Sequence, residues 1–416
     1  MNMKLPWQIL KSFTISYGFI FENMLLYLYM YAERGVSVKK RHKIVWSILR
    51  APVGLFLKLK FGYKYKVAEN LPENYIVLSN HVTDWDPVLV GVSFKRNMYL
   101  VGSEHISRWK FAYKLLKWGF EPILRPKGAL ASGTVMDIIR HCRKGKNVCM
   151  FAEGVRSWDG LTNPIAPATA KLIQSSRCGL VTYKITGGYF VSPMWSQSLR
   201  KGSLSGAVQN IYTAEELSKM TVDEIYNIIV TDLYEDAYAR QLVNPQRYKG
   251  KNLAEGLENL LFICPECGAY ETISSKGDTV SCSKCKMSFK YNDTGFLEGI
   301  KYKTITELSQ WQKAEIEKDV NIGKVYSSEN VILSTVKNHV DTEVTKGTLT
   351  MTPKSLVCGS VEIPMESISD LAMHGQNALV FSAGKEYFEA ITPKGSNTLK
   401  FMLYFKCVNE KKSVGV

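Results

Sequence analysis

Short apolar runs alternate with helical stretches between Tyr75 and Ile211, and this alternation constrains the fold more than any other feature of the chain. The predicted strands are four such runs: Tyr75–Ser79, Met98–Gly102, Asn147–Ala152 and Leu180–Ile185. A helix is predicted over Gly128–Arg143, between the second and third strands. Strands that alternate with helices predict an α/β domain with a largely parallel sheet. Active sites in such sheets lie beyond the carboxyl ends of the strands.

A polar turn, Asn80–Pro87 (NHVTDWDP), directly follows the first predicted strand. The imidazole of His81 can accept a proton near neutral pH, and the carboxylate of Asp86 can fix its tautomer and stabilise the imidazolium. The pair is two-thirds of a Ser-His-Asp triad, with a substrate hydroxyl in place of the enzyme serine. Chance pairs at this spacing are common, and Asp86 could instead cap a helix. The motif alone therefore leaves both readings open.

A second polar turn, Phe151–Ser157 (FAEGVRS), follows the third predicted strand. Gly154 allows backbone N–H groups to approach an anion, and Arg156 can hold a phosphate through two hydrogen bonds. Glu153 could orient that arginine or a substrate hydroxyl. A surface turn with an ion pair would contain the same residue types, so this motif by itself favours the simpler interpretation.

Together and in this order, the two turns resemble the glycerolipid acyltransferase family, in particular 1-acylglycerol-3-phosphate acyltransferases. That family has an NH-four residues-D motif and an F-P-E-G-T-R-S motif. Gly119–Arg125 (GFEPILR) resembles its second motif, whose closing arginine helps to bind the substrate phosphate. Gly187–Trp195, followed by Arg200-Lys201-Gly202, resembles its later hydrophobic motif. The resemblance spans residues 40–240.

The resemblance implies an enzyme that moves a fatty acyl group from acyl-CoA or acyl carrier protein to the free hydroxyl of lysophosphatidic acid, without a catalytic cofactor. It implies that His81 is the general base and that Asp86 orients it. The implied substrate-binding residues are Asn80, Arg125, Glu153, Gly154, Arg156 and Ser157. Ala152 and Val155 replace the family's usual proline and threonine, and Ser103-Glu104 replaces a common lysine-glutamate pair. These departures leave the mechanism intact but bear on the identity of the acceptor.

Other enzyme classes lack their signatures in this sequence. There is no G-x-S-x-G elbow, which disfavours an α/β-hydrolase with a covalent serine intermediate, and no Walker loop. A catalytically silent lipid-binding protein that keeps the fold is the alternative to an enzyme.

Two C-x-x-C pairs indicate a metal site. Cys264 and Cys267 are separated by fourteen residues from Cys282 and Cys285. This spacing predicts a zinc ribbon, in which four thiolates surround a tetrahedral ion and leave no open position, so the zinc is structural. The alternative is a pair of redox dithiols.

The positive charge lies mainly at the amino end. The net charge is +15, and residues 1–70 contain twelve Lys or Arg and three Glu, an excess of nine. Ser12–Met30 could just span a bilayer, but its scattered aromatic residues favour a helix at the interface. Ile44–Phe61 is a second candidate, in which Pro52 predicts a kink. Both could instead be core helices.

A basic, apolar amino end suits an anionic phospholipid surface, which is the predicted partner. Nucleic-acid binding is not expected, because the excess of positively charged residues lies far in sequence from the cysteine pairs. We recognise no cleavable signal peptide. Nine cysteines, an odd number, argue against a secreted disulfide framework. The five outside the C-x-x-C pairs are expected to be buried thiols in a reducing cytosol, which predicts the cytoplasmic face of the cell membrane.

The sequence therefore predicts four units. They are membrane-associating helices (1–66), an acyltransferase domain (67–245), a linker helix with a zinc ribbon (246–300), and a linker helix with a small β-rich domain (301–416). In the last unit, strands are predicted at Val331–Val336, Gly347–Met351, Ala378–Ser382 and Tyr387–Ile391, followed by a helix at Asn397–Asn409. This order resembles a pleckstrin-homology-like fold, which implies a lipid or protein docking module.

Overall fold

A computed structural model describes residues 38–109, 111–125, 132–337 and 340–414 of the 416-residue chain. Three sheets, of seven, four and seven strands, follow one another along the sequence. The apolar stretch 12–30, predicted to lie at a membrane interface, is outside the described residues.

The first sheet contains the four strands predicted from the apolar runs and three further strands. Its members are β1 (Lys64–Tyr65), β2 (Tyr75–Ser79), β3 (Met98–Ser103), β4 (Ile123–Arg125), β5 (Asn147–Phe151), β6 (Gly179–Thr186) and β7 (Ser205–Tyr212). Their spatial order is β1-β7-β6-β2-β5-β3-β4. Every neighbouring pair is parallel except β6 with β7, so the predicted largely parallel sheet is confirmed.

Helices cover both faces of this sheet. They are α1 (Val38–Phe61), α2 (Asp86–Gly91), α3 (Phe111–Phe120), α4 (Ser132–Arg143), α5 (Ala168–Ser176), α6 (Gly188–Val191), α7 (Ala214–Ser218), α8 (Val222–Leu233) and α9 (Ala237–Val243). The central strand β2 is buried along its whole length. Because side chains alternate across a strand, Tyr75 and Val77 enter the core beneath α1, whereas Ile76 and Leu78 enter the core formed with α4, α5 and α8.

Helix α1 has two different apolar faces. One face is buried against the first sheet and includes Val45, Trp46, Leu49, Val53, Leu57 and Phe61. The opposite face leaves Ile44, Ile48, Leu55 and Leu59 between 42% and 58% exposed. The helix continues through Pro52. Within the described residues, none of the helices is both long enough and apolar enough to cross a membrane.

The second sheet is a small antiparallel unit formed by β8 (Ile273–Lys276), β9 (Thr279–Cys282), β10 (Ser288–Tyr291) and β11 (Leu297–Glu298). The prediction of a linker helix at the start of 246–300 is wrong. Helix α9 ends at Val243, and between it and β8 the structure has only a single 3-10 turn, Leu257–Asn259. Pro245 disfavours a helical conformation at the residue before it. Gly256 then takes a left-handed conformation, with φ of 96°.

The third sheet follows a long helix, α10 (Ile305–Asn321), at the position predicted for a charged linker helix. Its strands are β12 (Tyr326–Lys337), β13 (Val340–Met351), β14 (Ser355–Cys358), β15 (Val361–Pro364), β16 (Ile368–His374), β17 (Ala378–Ala383) and β18 (Glu386–Ile391). They are antiparallel in the order β15-β14-β13-β12-β18-β17-β16, and α11 (Leu399–Val414) follows. The four predicted strands and the closing helix are present, and β14, β15 and β16 are additional.

One continuous apolar core joins the three sheets. Arg200, only 2% exposed, packs against the rings of both Trp195 and Tyr291, with its guanidinium carbon 5.2 and 5.1 Å from their centroids. It also donates to the carbonyl of Leu253. Gln312 of α10 accepts a hydrogen bond from the backbone N–H of Phe262 at 2.8 Å, which ties α10 to the segment before the second sheet.

Candidate active site and metal centre

His81 lies just beyond the carboxyl end of β2, where a parallel sheet presents its functional groups. Its Nδ1 lies 2.8 Å from Oδ2 of Asp86, and its ring stacks on Phe151 with centroids 4.6 Å apart. Because a carboxylate only accepts hydrogen bonds, Nδ1 is the donor and the proton-accepting lone pair of a neutral imidazole is on Nε2. The His81 side chain is 21% exposed. Nε2 is therefore the ring nitrogen left for a substrate.

The carboxylate of Asp86 organises the turn on which His81 lies. It is fully buried and accepts hydrogen bonds from the backbone N–H of Val82 at 2.6 Å and from that of Thr83 at 2.9 Å. The Thr83 hydroxyl also donates to it, at 2.6 Å. Asp86 is the first residue of α2, but its side chain reaches backwards instead of capping that helix. Hydrogen bonds to the charged form compensate for its burial.

Glu153 joins the turns that follow β2 and β5. One carboxylate oxygen accepts from the backbone N–H of His81 at 2.6 Å, and the other accepts from the backbone and side-chain nitrogens of Asn163 at 2.6 and 3.0 Å. Burial raises the pKa of Glu153 to about 7, against the opposite effect of these three donors. Asn163 belongs to no sequence motif, so its contact with Glu153 could not be predicted from the sequence.

Asn80 and Ser157 also bond within the protein. The Asn80 side chain accepts from the backbone N–H of Ile185 at 2.8 Å and donates to the carbonyl of the same residue at 2.9 Å, which fixes the turn to β6. The backbone N–H of Ser157 donates to the carbonyl of His81 at 3.0 Å, and its hydroxyl accepts from Gly160. Both residues lie beside His81 and position its backbone.

Arg156 is 9% exposed and has several partners. Its Nε donates to the carbonyl of Val82 at 3.3 Å, and one terminal nitrogen donates to the carbonyl and the hydroxyl of Ser192. The other terminal nitrogen forms an ion pair with Asp84 at 2.9 Å, and that carboxylate is 44% exposed. The guanidinium thus connects both turns to the segment after α6.

Arg125 and Gly154 lie close together at the same edge of the sheet. Arg125 is the last residue of β4 and is exposed. It has no acidic partner among the residues that the structure describes. A Cβ placed on Gly154 would lie 3.1 Å from a terminal nitrogen of Arg125, and Gly154 has φ of 71°. Glycine therefore leaves room for the guanidinium above this turn.

The four cysteine sulfurs of the second sheet lie within 4.8 Å of one another, close enough to bind a metal ion. Sγ of Cys264 is 3.7 Å from that of Cys285, and Sγ of Cys267 is 3.9 Å from that of Cys282. A tetrahedral site with zinc–sulfur bonds of about 2.3 Å separates its sulfurs by about 3.8 Å. The donor set and its spacing therefore fit zinc.

The backbone repeats itself around the two cysteine pairs. In each pair, the first cysteine accepts a hydrogen bond from the N–H four residues on, that of Gly268 or Lys286. Those two residues are left-handed, with φ of 67° and 64°. The other five cysteines are buried and free, as expected from the sequence.

Comparison with known proteins shows that part of the chain is similar to acyltransferases. The family model described as Acyltransferase matches residues 63–195. Among solved structures, the chain is similar to the 1-acyl-sn-glycerophosphate (LPA) acyltransferase PlsC from Thermotoga maritima, with 16% sequence identity and a TM-score of 0.40. That similarity covers 51% of this chain and 87% of PlsC. No curated protein matches the chain in sequence.

The close approach of α6 to the His81 turn gives a testable constraint. A Cβ on Gly188 would lie 2.5 Å from Cγ2 of Val82 and 3.2 Å from Cγ2 of Thr83. We expect Gly188→Ala to lower the free energy of unfolding by about 1–3 kcal/mol, because overpacking displaces the turn. Urea denaturation of the full chain measures this loss.

The matched control is Gly133→Ala in α4, where an added Cβ would meet no atom within 4 Å. Alanine there should leave the stability unchanged or raise it, since glycine is unfavourable within a helix. Equal unfolding midpoints for the two variants would contradict the constraint.

Proposed function

We propose that the protein is a glycerolipid acyltransferase of phospholipid biosynthesis. It moves a fatty acyl group from an acyl thioester to the free hydroxyl of 1-acylglycerol-3-phosphate and forms phosphatidic acid. The main support is the hydrogen bond between Nδ1 of His81 and the buried Asp86, which leaves Nε2 as the base. The match of residues 63–195 to an acyltransferase family supports the reaction class. Acyl-CoA and acyl carrier protein are both candidate donors.

The proposed reaction is a direct acyl transfer. Nε2 of His81 takes the proton of the acceptor hydroxyl as that oxygen attacks the thioester carbon, and Asp86 stabilises the imidazolium. The tetrahedral intermediate then expels the thiolate, which takes the proton from Nε2 and leaves as a thiol. Backbone N–H groups near Gly154 are the proposed donors to the oxyanion.

Arg125 and Arg156 are the proposed ligands of the acceptor phosphate, and by holding it they place the hydroxyl beside His81. Asn80, Glu153 and Ser157 stay predictions as substrate-binding residues. Their hydrogen bonds to the protein support a contribution through the position of the His81 backbone. No catalytic cofactor is needed for this chemistry.

The experiment that tests this function compares the wild-type protein with His81→Ala. Transfer of labelled acyl from a thioester to lysophosphatidic acid in vesicles should fall by about 10²–10⁴-fold, the usual contribution of a general base. His141→Ala is the control, because His141 bonds to its own helix through the carbonyl of Asp137 and should leave turnover intact.

The alternative, a lipid-binding or scaffolding protein without catalytic activity, predicts no acyl transfer in this experiment. If neither donor supports turnover with any of several lysolipids, the chain is a lipid-binding or scaffolding protein that keeps the acyltransferase fold. Equal turnover by wild type and His81→Ala would instead remove His81 from the reaction.

We also propose that Cys264, Cys267, Cys282 and Cys285 bind one structural zinc and that the second sheet is a zinc ribbon. The sulfur spacing supports this, and so small a sheet has little core without a metal. The purified protein should contain about one zinc per chain by mass spectrometry of the native state. Cys285→Ser should lose the metal, whereas Cys407→Ala, in α11, should retain it. Zinc in both variants at the wild-type level would rule out the assignment.

We infer a peripheral or monotopic attachment to an anionic phospholipid surface, on the cytoplasmic face of the membrane. The exposed stripe Ile44, Ile48, Leu55 and Leu59 of α1 supports it, together with the exposed Lys40, Lys43 and Lys58 on the same helix. The five buried free thiols support the cytoplasmic side. The third sheet and α11 are proposed to form a pleckstrin-homology-like docking module, supported by seven antiparallel strands and a closing helix.

Leu55→Glu tests the membrane-facing stripe. It should weaken binding to vesicles that contain anionic phospholipid by about tenfold, since it removes an apolar side chain from the interface and adds a negative charge. Flotation of full-length protein with vesicles measures the effect. Leu242→Glu, at a position 63% exposed on α9, is the matched control. Equal losses in both variants would show that α1 has no special contact with lipid.

A further inference from the structure

We propose that Asp84 weakens the binding of phosphate-bearing acceptors, because in the substrate-free protein it occupies the side of the Arg156 guanidinium that the acceptor phosphate takes on binding. This inference rests on the proposed function. It assigns a role to a residue of the His81 turn that the reaction itself does not use.

The guanidinium of Arg156 is fixed in place. Nε is bonded to the carbonyl of Val82 and one terminal nitrogen to Ser192, and the side chain is 9% exposed. Each of these contacts is to a backbone carbonyl of a buried or half-buried segment. Arg156 therefore cannot turn towards a ligand, and a phosphate has to approach the terminal nitrogen that faces Asp84.

Asp84, in contrast, is held by a single contact. Its carboxylate is 44% exposed and has the 2.9 Å bond to Arg156 as its one partner among the described residues. A half-exposed ion pair is weak, because water competes for both charges. The carboxylate can therefore rotate into solvent while Arg156 stays where it is.

The position also fits the proposed acceptor. Asp84 is three residues from His81, so the two Cα atoms are at most about 10 Å apart. In 1-acylglycerol-3-phosphate, a short glycerol link separates the free hydroxyl from the phosphate. A molecule with its hydroxyl at Nε2 of His81 can thus reach the guanidinium from the side of Asp84, with Arg125 as a second cation.

The exchange of carboxylate for phosphate affects only those acceptors that carry a phosphate. A phosphate monoester carries close to two negative charges at neutral pH and three strong acceptor oxygens, so it can displace a single carboxylate from the guanidinium. A neutral head group cannot, and it meets the intact ion pair. Asp84 thereby lowers the affinity of the site for acceptors that carry a phosphate and does not affect the binding of neutral acceptors.

The test is Asp84→Asn, which keeps the size of the side chain and removes its charge. The KM for 1-acylglycerol-3-phosphate should fall about 2–5-fold, the range expected for loss of one competing exposed ion pair. The KM for 1-monoacylglycerol should not change, and kcat should change less than KM does. The control is Glu215→Gln, which removes one charge from the exposed pair with Lys219. Glu215 follows β7, which is antiparallel to β6, so it lies at the amino ends of the parallel strands, away from His81. This variant should leave both KM values unchanged.

A binding measurement separates this inference from the proposed function. In a thermal shift titration with sn-glycerol 3-phosphate, the Asp84→Asn protein should saturate at an about 2–5-fold lower concentration, the same factor as in KM. An unchanged or higher saturating concentration overturns the inference, as does an equal fall of KM for both acceptors. Absence of turnover in wild type with a retained shift in binding would reject the reaction but keep the role of Asp84.

Discussion

The carboxylate of Asp86 has no exposed surface, and it accepts hydrogen bonds from two backbone N–H groups, one hydroxyl and the imidazole of His81. Burial of a charge is costly unless such donors surround it, so the turn from Val82 to Asp86 must keep one shape for the protein to remain folded. The same set of bonds that satisfies the charge also fixes the ring of His81. Stability and the geometry of the base are therefore two results of one interaction.

Three further contacts hold that turn from outside. The carboxylate of Glu153 accepts a hydrogen bond from the backbone N–H of His81, and Arg156 donates to the carbonyl of Val82. Gly188 packs on the Val82 side chain. Two of these contacts come from the turn after β5 and the third comes from α6, so separate parts of the fold hold the turn at the carboxyl edge of the sheet. In the segment after α6, Trp195 packs on Tyr291 of the second sheet, and its carbonyl accepts a hydrogen bond from Asn259. The order of the site thus depends on contacts well beyond the matched residues 63–195.

The strands, the two polar turns and the cysteine pairs could be predicted because their signals are local. Residues 75–79 are apolar throughout, and a strand buried on both faces needs that pattern. The partners of Glu153 and Arg156 could not be predicted, because a charged side chain has the same letter whether it faces a ligand or the protein. Asn163 and Ser192 belong to no motif, and their roles follow only from distance in space. Strands β14 and β15 are too short to show a period.

The contacts of Arg200 limit where the chain can be cut into units that fold separately. Its guanidinium contacts a ring before the cysteine pairs, Trp195, and a ring after them, Tyr291, and it also donates to the carbonyl of Leu253. A chain cut before the cysteine pairs would leave this cation against Trp195 with half of its surroundings gone. The units of this protein are therefore not interchangeable parts. A transplant of the first sheet and its helices alone, in evolution or in the laboratory, would have to replace Arg200 and repack Trp195 in the same step.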